Sequence, residues 1–388
     1  MMKAAVWVGN FKIEVQDKPK PIITNKHDAL LRVTSTAICG SDLHLFGGYM
    51  PGMEKGDIMG HEFMGVVEEV GPDVKSIKIG DRVVACFDIA CGHCGQCSNK
   101  LFSECDVTNS SDPQEDMYGH RTAGLFGFSH MTGGYAGGQA DYARVPFADV
   151  NLIKVPSTLT DQQVLFLSDI LCTAWHANEL GEVKKGDVVA VWGAGPVGLL
   201  VVQCAQFRGA KRVILIDNAK YRLEFASQKL PGVELLDFGE HDTVKRLKEM
   251  VPNGPDVCIE AVGFHYAKSL MSKVEMAVGL QTDPADIINE LIVSCRKGGI
   301  VSIVGVYAAT ANHFMIGPLM EKGLTLRAGQ TPCQKYWDEL LGYIESGKLD
   351  PTFIISHEPP LSDASHSYKM FNEKLDGCLK VVMHPTPA

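Results

Sequence analysis

The stretch Val188–Leu200, "VVAVWGAGPVGLL", decides the architecture. An apolar, β-branched run stops at Gly193, Gly195 and Gly198, in G-x-G-x-x-G order, and "GLLVVQCAQFRGA" continues in helical rhythm. Strand, glycine turn and helix in that order form a cradle for a pyrophosphate. The glycines let the backbone approach the ligand, and the helix N-terminus turns free N–H groups and positive dipole toward it. The next strand, "RVILID", closes on Asp217, placed to accept hydrogen bonds from ribose hydroxyls and, by its charge, to repel a 2′-phosphate. The expected cofactor is NAD in preference to NADP. FAD is the chemical competitor, but its fingerprint is expected near an N-terminus, far from Gly193.

Around this stretch the pattern is that of βαβ units. "DVVAVWG", "RVILID", "VELLDF", "PDVCIEAVG", "GGIVSIVG" and "LTLRAG" are separated by helix-length segments, which predicts a parallel, doubly wound sheet over residues 166–330. Upstream, residues 1–165 read as short strands between turns, "KAAVWV", "ALLRVTSTAI", "FMGVVEEVG", "DRVVACF" and "ADYARVP", the spacing of a β-rich domain. Residues 331–388 hold a helical "YWDELLGYIESGKL" and extended pieces ending in "GCLKVVMHP", expected to return to the first domain. A chain of 388 residues is long enough for two such cores.

Composition narrows the function. Hydrophobic residues at 45% and charged residues at 21% leave no case for disorder. A net charge of −10 without a Lys/Arg block argues against a nucleic-acid partner. "MMKAAVWVGN" has no signal-peptide core, and no run approaches the roughly 18 apolar residues of a membrane span. The expected location is the cytoplasm, where thiols stay reduced and closely spaced cysteines hold metal more often than they pair. "CGHCGQCSNKLFSEC" supplies Cys91, Cys94, Cys97 and Cys105 in C-x2-C-x2-C-x7-C spacing, which suits a closed tetrahedral zinc site, an iron–sulfur cluster being the rival. His93, inside the loop, is read as solvated. A wider constellation lies in "ICGSDLH", "GHEF" and "LSDILCTAWH".

"GHEFMGVVEEVG", the four-cysteine lobe and "GAGPVG" together resemble the zinc-dependent medium-chain alcohol dehydrogenase family over almost the whole chain. The resemblance implies an α/β protein with a GroES-like β-rich catalytic domain, a Rossmann domain, a structural zinc in the lobe, and a catalytic zinc in the cleft between domains. It assigns Cys39, His61 and Asp169 as catalytic zinc ligands, with one position open and Glu62 beside the metal as a transient ligand. Ser41 and His44 match the family's proton relay, and Asp42 is placed to accept the spare ring N–H of His61. Thr173, Pro196, Val197 and Arg222 join Gly193, Gly195, Gly198 and Asp217 as implied cofactor contacts.

Many members carry cysteine where Asp169 stands, and polyol dehydrogenases carry glutamate nearby. Aspartate in "LSDILCTAWHA" is similar to the glutathione-independent formaldehyde dehydrogenase and formaldehyde dismutase branch. Cys172 is the alternative ligand, but the register of "TAW" favours Asp169. The long "YAKSLMSKVEMAVGLQTDPADIINELIVSCRKGG" resembles an insertion of that branch that covers the adenosine end of NAD. The implied chemistry is zinc-assisted oxidation of a small alcohol or aldehyde hydrate by hydride transfer to NAD. A polyol or secondary alcohol dehydrogenase, a dismutase with tightly held NAD, and a non-catalytic redox sensor are the alternatives. The expected assembly is a homodimer or homotetramer.

Overall fold

A computed structural model describes residues 1–263, 284–307 and 310–385, in two compact units: Met1–Cys172 with Thr331–Ala388, and Thr173–Gln330. In the second unit, the strands Val188–Trp192, Arg212–Asp217, Glu234–Asp237, Val257–Glu260, Ile300–Ile303 and Thr325–Ala328 make one sheet, every pair parallel. Numbered in chain order they lie 3-2-1-4-5-6. The order reverses between Val188–Trp192 and Val257–Glu260, which opens a crevice at their carboxyl ends. The central strand is apolar throughout because helices cover both faces, and Trp192, Ile214, Leu291 and Val301 meet in its core.

The first unit is built on a seven-stranded sheet whose centre is Ala29–Ile38. Glu62–Val70 pairs antiparallel with it on one side. On the other side, Tyr142–Val145 pairs with its first half and Lys380–Met383 with its second. The register decides the site. Ala37 stands opposite Glu62, so Cys39, just past the end of one strand, and His61, just before the start of the next, become neighbours. Val381 stands opposite Ile38, which brings Lys380 to the same end of the sheet.

The border between units falls inside the helix Ile170–Leu180, beyond the 165/166 boundary read from sequence. The physical reason is local bonding. The Phe87 N–H donates to the Ser168 carbonyl at 2.9 Å and the Trp337 indole to that of Leu167 at 2.8 Å, so the turn before Asp169 is held by the first unit. Of the long segment read as an insertion, residues 266–283 lie outside the described residues, and what is described includes the helix Asp286–Ser294 and the turn after it. Among the described residues no helix is long and apolar enough to cross a membrane.

Candidate active site and metal centres

Cys39, His61, Glu62 and Asp169 each bring a donor atom into a cluster whose atoms all lie within 4.8 Å of one another. His61 Nε2 is 3.3 Å and Cys39 Sγ 3.8 Å from Asp169 Oδ2. Three acidic donors crowded about an imidazole at a buried point repel one another unless a cation stands among them. One oxygen of Glu62, Oε2, is buried without a hydrogen-bond partner, a further sign of a group this set is built to meet. Thiol, imidazole and carboxylate fit zinc.

The surroundings orient these donors. Asp42, fully buried at the start of the helix Asp42–Phe46, puts Oδ1 3.1 Å from His61 Nδ1. Its Oδ2 accepts from the Cys39 N–H at 2.9 Å and from Gln139 Nε2 at 3.4 Å. Gln139 in turn accepts from the Tyr368 hydroxyl at 2.8 Å. One carboxylate thus holds the Cys39 backbone and stands against the His61 ring. Burial opposes a charge on His61, yet Asp42 and Cys39 push its basicity well above the ordinary value. Burial pushes the Cys39 thiol up. The rings of Phe87 and Phe128 stand 6.3 Å and 6.1 Å from the His61 ring.

Ser41 Oγ lies 3.4 Å from His61 Nε2, bordering the donors, and His44 follows on the same short helix. Cys172 is kept out of the cluster: its thiol donates to the Leu167 carbonyl at 3.3 Å. The sequence reading missed Lys380. Its ammonium is 2.7 Å from Glu62 Oε1, and both side chains are sealed from solvent, at 1% and 0% exposure. Burial pushes the Glu62 carboxyl up, with Lys380 opposing; for Lys380 itself, burial works against the charge and Glu62 more than restores it. The signal was one lysine inside an otherwise apolar strand, "LKVVM", which calls for a buried partner.

The four-cysteine lobe is assembled as a separate group, with donor atoms again within 4.8 Å. Cys91 and Cys97 sulfurs are 3.9 Å apart, as are those of Cys94 and Cys105. Backbone N–H groups of His93 and Cys94 point at Cys91 Sγ, and that of Cys97 at Cys94 Sγ. Burial opposes ionisation of Cys94, but the N–H groups of Cys97 and Asp106 bring its thiol down to about 6. His93 turns its Nδ1 to the Cys91 carbonyl at 3.0 Å rather than to the sulfurs.

In the second unit the glycine turn has the shape of a cradle. Gly193 takes φ +102°, and a Cβ there would meet the Ala261 carbonyl oxygen at 2.7 Å; a Cβ on Gly198 would meet that of Gly193 at 1.8 Å. Only glycine permits the approach. The middle position differs: a Cβ on Gly195 would find only the Arg222 guanidinium, 3.7 Å away, so this face of the turn is open. Gly195 is the N-cap of the helix Pro196–Phe207, with Pro196 and Val197 in its first turn. Asp217 has a task the sequence reading did not foresee. Its Oδ2 accepts from the Ala194 N–H at 2.6 Å, tying the turn to the neighbouring strand, while Oδ1 accepts from Asn218 and Ala219 N–H groups. Glu260, also missed, accepts from Val262, Gly263 and Gly305 N–H groups and so clamps the loop after its own strand to the loop after the neighbouring strand Ile300–Ile303. Thr173 is half-buried on the helix Ile170–Leu180.

A Rossmann sheet with such a turn, together with a β-rich unit that gathers thiol, imidazole and carboxylate donors, defines a zinc-binding, nicotinamide-dependent oxidoreductase. Two family models match: alcohol dehydrogenase GroES-like domain over residues 25–157, and zinc-binding dehydrogenase over residues 196–276. The chain is 45% identical over 382 residues to a zinc-type alcohol dehydrogenase-like protein of Schizosaccharomyces pombe, spanning 98% of this chain and 90% of that one. It is 33% identical over 395 residues to the glutathione-independent formaldehyde dehydrogenase of Pseudomonas aeruginosa, spanning 95% and 94%. The solved alcohol dehydrogenase TADH from Thermus sp. ATN1 superposes with a TM-score of 0.85 at 34% identity, over 99% of this chain and 100% of that one. The chain belongs to the zinc-dependent medium-chain alcohol dehydrogenase family, and it is an enzyme.

Proposed function

We propose that this enzyme oxidises small primary alcohols and aldehyde hydrates, formaldehyde foremost, with NAD and without glutathione. The observation that carries the reading is Asp169 as the third donor beside Cys39 and His61, with Phe87 and Phe128 flanking the imidazole. The name of the Pseudomonas aeruginosa relative points the same way. Zinc held by Cys39, His61 and Asp169 would supply Lewis acidity to a hydroxyl, and NAD at the glycine turn would be the hydride acceptor.

The chain's own residues do the rest. Ser41 Oγ, at the edge of the donors, takes the hydroxyl proton and passes it toward His44. Asp42 holds the His61 ring in orientation. Lys380 balances the Glu62 carboxylate, so that its free oxygen stays directed at the cluster. The two buried phenylalanines keep water from the His61 ring. Asp217, held in place by three backbone N–H groups, favours NAD over NADP by its charge. The four cysteines hold a second, structural zinc.

We also assign a homo-oligomer. The helix Ile316–Glu321 buries no side chain, Ile316 and Met320 are 63% and 67% exposed, and Thr325–Ala328 is an edge strand of the sheet. Edge backbone is complementary to itself across a two-fold axis, so the occupant is a second copy.

The test of activity is NADH formation by zinc-loaded protein given formaldehyde, without glutathione, beside a panel of polyols and secondary alcohols. Turnover highest with formaldehyde or small primary alcohols supports the proposal. Polyol or secondary-alcohol turnover with no response to formaldehyde overturns it.

A further inference from the structure

Outside the two clusters described above, a third group of metal-type donors converges in the first unit. Cys86 Sγ, a carboxylate oxygen of Asp88 and Cys333 Sγ lie within 4.8 Å of one another, and all three residues are fully buried. Cys86 and Asp88 flank a bend at Phe87, between the strands Arg82–Ala85 and Asp88–Ile89, and their side chains meet while the Phe87 ring faces His61. Cys333 comes from far along the chain, in the turn that opens the C-terminal segment of this unit. We propose that Cys86, Asp88 and Cys333 form a third metal site, which takes a structural zinc ion.

The surroundings are those of a ligand set. Cys86 Sγ sits 2.7 Å from Asp88 Oδ1. Asp88 Oδ2 accepts from Gln334 Nε2 at 3.3 Å, and the same amide donates to Asn151 Oδ1 at 3.2 Å, the outer support that ligating carboxylates receive. Among the described residues Asp88 has no ion pair with lysine, arginine or histidine, so no protein cation compensates a carboxylate at this depth. Burial pushes both thiols up and the Asp88 carboxyl up to about 7, and a dication at their centre reverses that field by favouring the deprotonated donors. Two sulfurs and one oxygen match a borderline-soft divalent ion.

A disulfide is the competing use of two neighbouring thiols. It fits less well: it leaves Asp88 unexplained, and thiols with no solvent exposure and raised pKa are poor partners for an oxidant. Zinc, by contrast, can be enclosed as the chain folds. Held by two thiols and a carboxylate that are all sealed from solvent, the ion has the role of pinning residue 333 to residues 86–88. Cys333 Sγ also lies 3.9 Å from the Asp169 carbonyl oxygen, so the pin stands directly behind a donor of the first cluster.

The deciding experiment is an anomalous difference map at the zinc edge from crystals of the full chain grown with zinc. The expected result is a peak within bonding distance of Cys86, Asp88 and Cys333, in addition to one in the Cys91–Cys105 lobe. A lobe peak with none at the third position, or continuous density joining the Cys86 and Cys333 sulfurs, overturns the proposal. In solution, C86A/C333A should carry about one zinc equivalent less than the native chain. Equal zinc content in a folded variant overturns it too, and if that variant does not fold, the map on the native chain decides.

Discussion

At the scale of single residues, the site depends on how buried charges are matched. Asp169 gives a carboxylate oxygen to a group that already holds a thiol and an imidazole. Asp169→Asn keeps the shape and removes the charge. Outer partners of metal ligands cost about 10–100-fold when changed, so loss of a ligand charge should lower kcat/KM for formaldehyde by more than about 100-fold. The circular dichroism spectrum should stay unchanged. A rate near that of the native enzyme would remove Asp169 from the ligand set. Lys380 is matched in the opposite sense. Lys380→Met strands Glu62 at zero exposure, and breaking one partner of such a pair costs about 3–5 kcal/mol. Adding Glu62→Gln should recover most of that loss in a denaturant titration. If the double variant is as unstable as the single one, packing rather than charge is what Lys380 provides.

At the scale of elements, two short loops carry their geometry within themselves. In the cysteine lobe, turn N–H groups aim at the Cys91 and Cys94 sulfurs from within the loop itself. Cys97→Ser removes one of four donors. It should lower the melting temperature by several degrees and release about one zinc per chain, with much smaller effect on the rate per folded, reloaded molecule. An unaltered melting temperature with full zinc would show that the lobe holds none. The glycine turn is tied to its neighbouring strand by the Asp217 carboxylate. Asp217→Ala removes both the tether and the charge. The ratio of kcat/KM for NAD over NADP should fall by at least about tenfold, the equivalent of one lost charge-assisted hydrogen bond. A ratio that does not move would place cofactor choice elsewhere, with Arg222 the first residue to examine.

At the scale of the whole molecule, the exposed helix Ile316–Glu321 and the sheet edge Thr325–Ala328 are expected to meet their copies. Met320→Glu together with Ile316→Glu should shift the mass measured by light scattering from oligomer toward monomer. A native chain that is already monomeric at micromolar concentration contradicts the assignment.

How much of this was legible beforehand follows the distance over which each feature is specified. The strand, glycine turn and helix of Val188–Leu200, and the spacing of Cys91, Cys94, Cys97 and Cys105, could be read directly because steric limits at glycine and the reach of a short loop leave few other arrangements. The donors proposed as catalytic were read only through resemblance, since Cys39, His61 and Asp169 are separate in the chain and none is distinctive alone. Tertiary structure alone decided the rest: Lys380 against Glu62, Tyr368 and Gln139 behind Asp42, Glu260 across two loops, and Cys333 beside Cys86 and Asp88. Each of these depends on strand register, or on where the C-terminal segment rejoins its unit. A shift of one residue would turn the side chains of a strand to the opposite face, and no local propensity in the sequence encodes that choice.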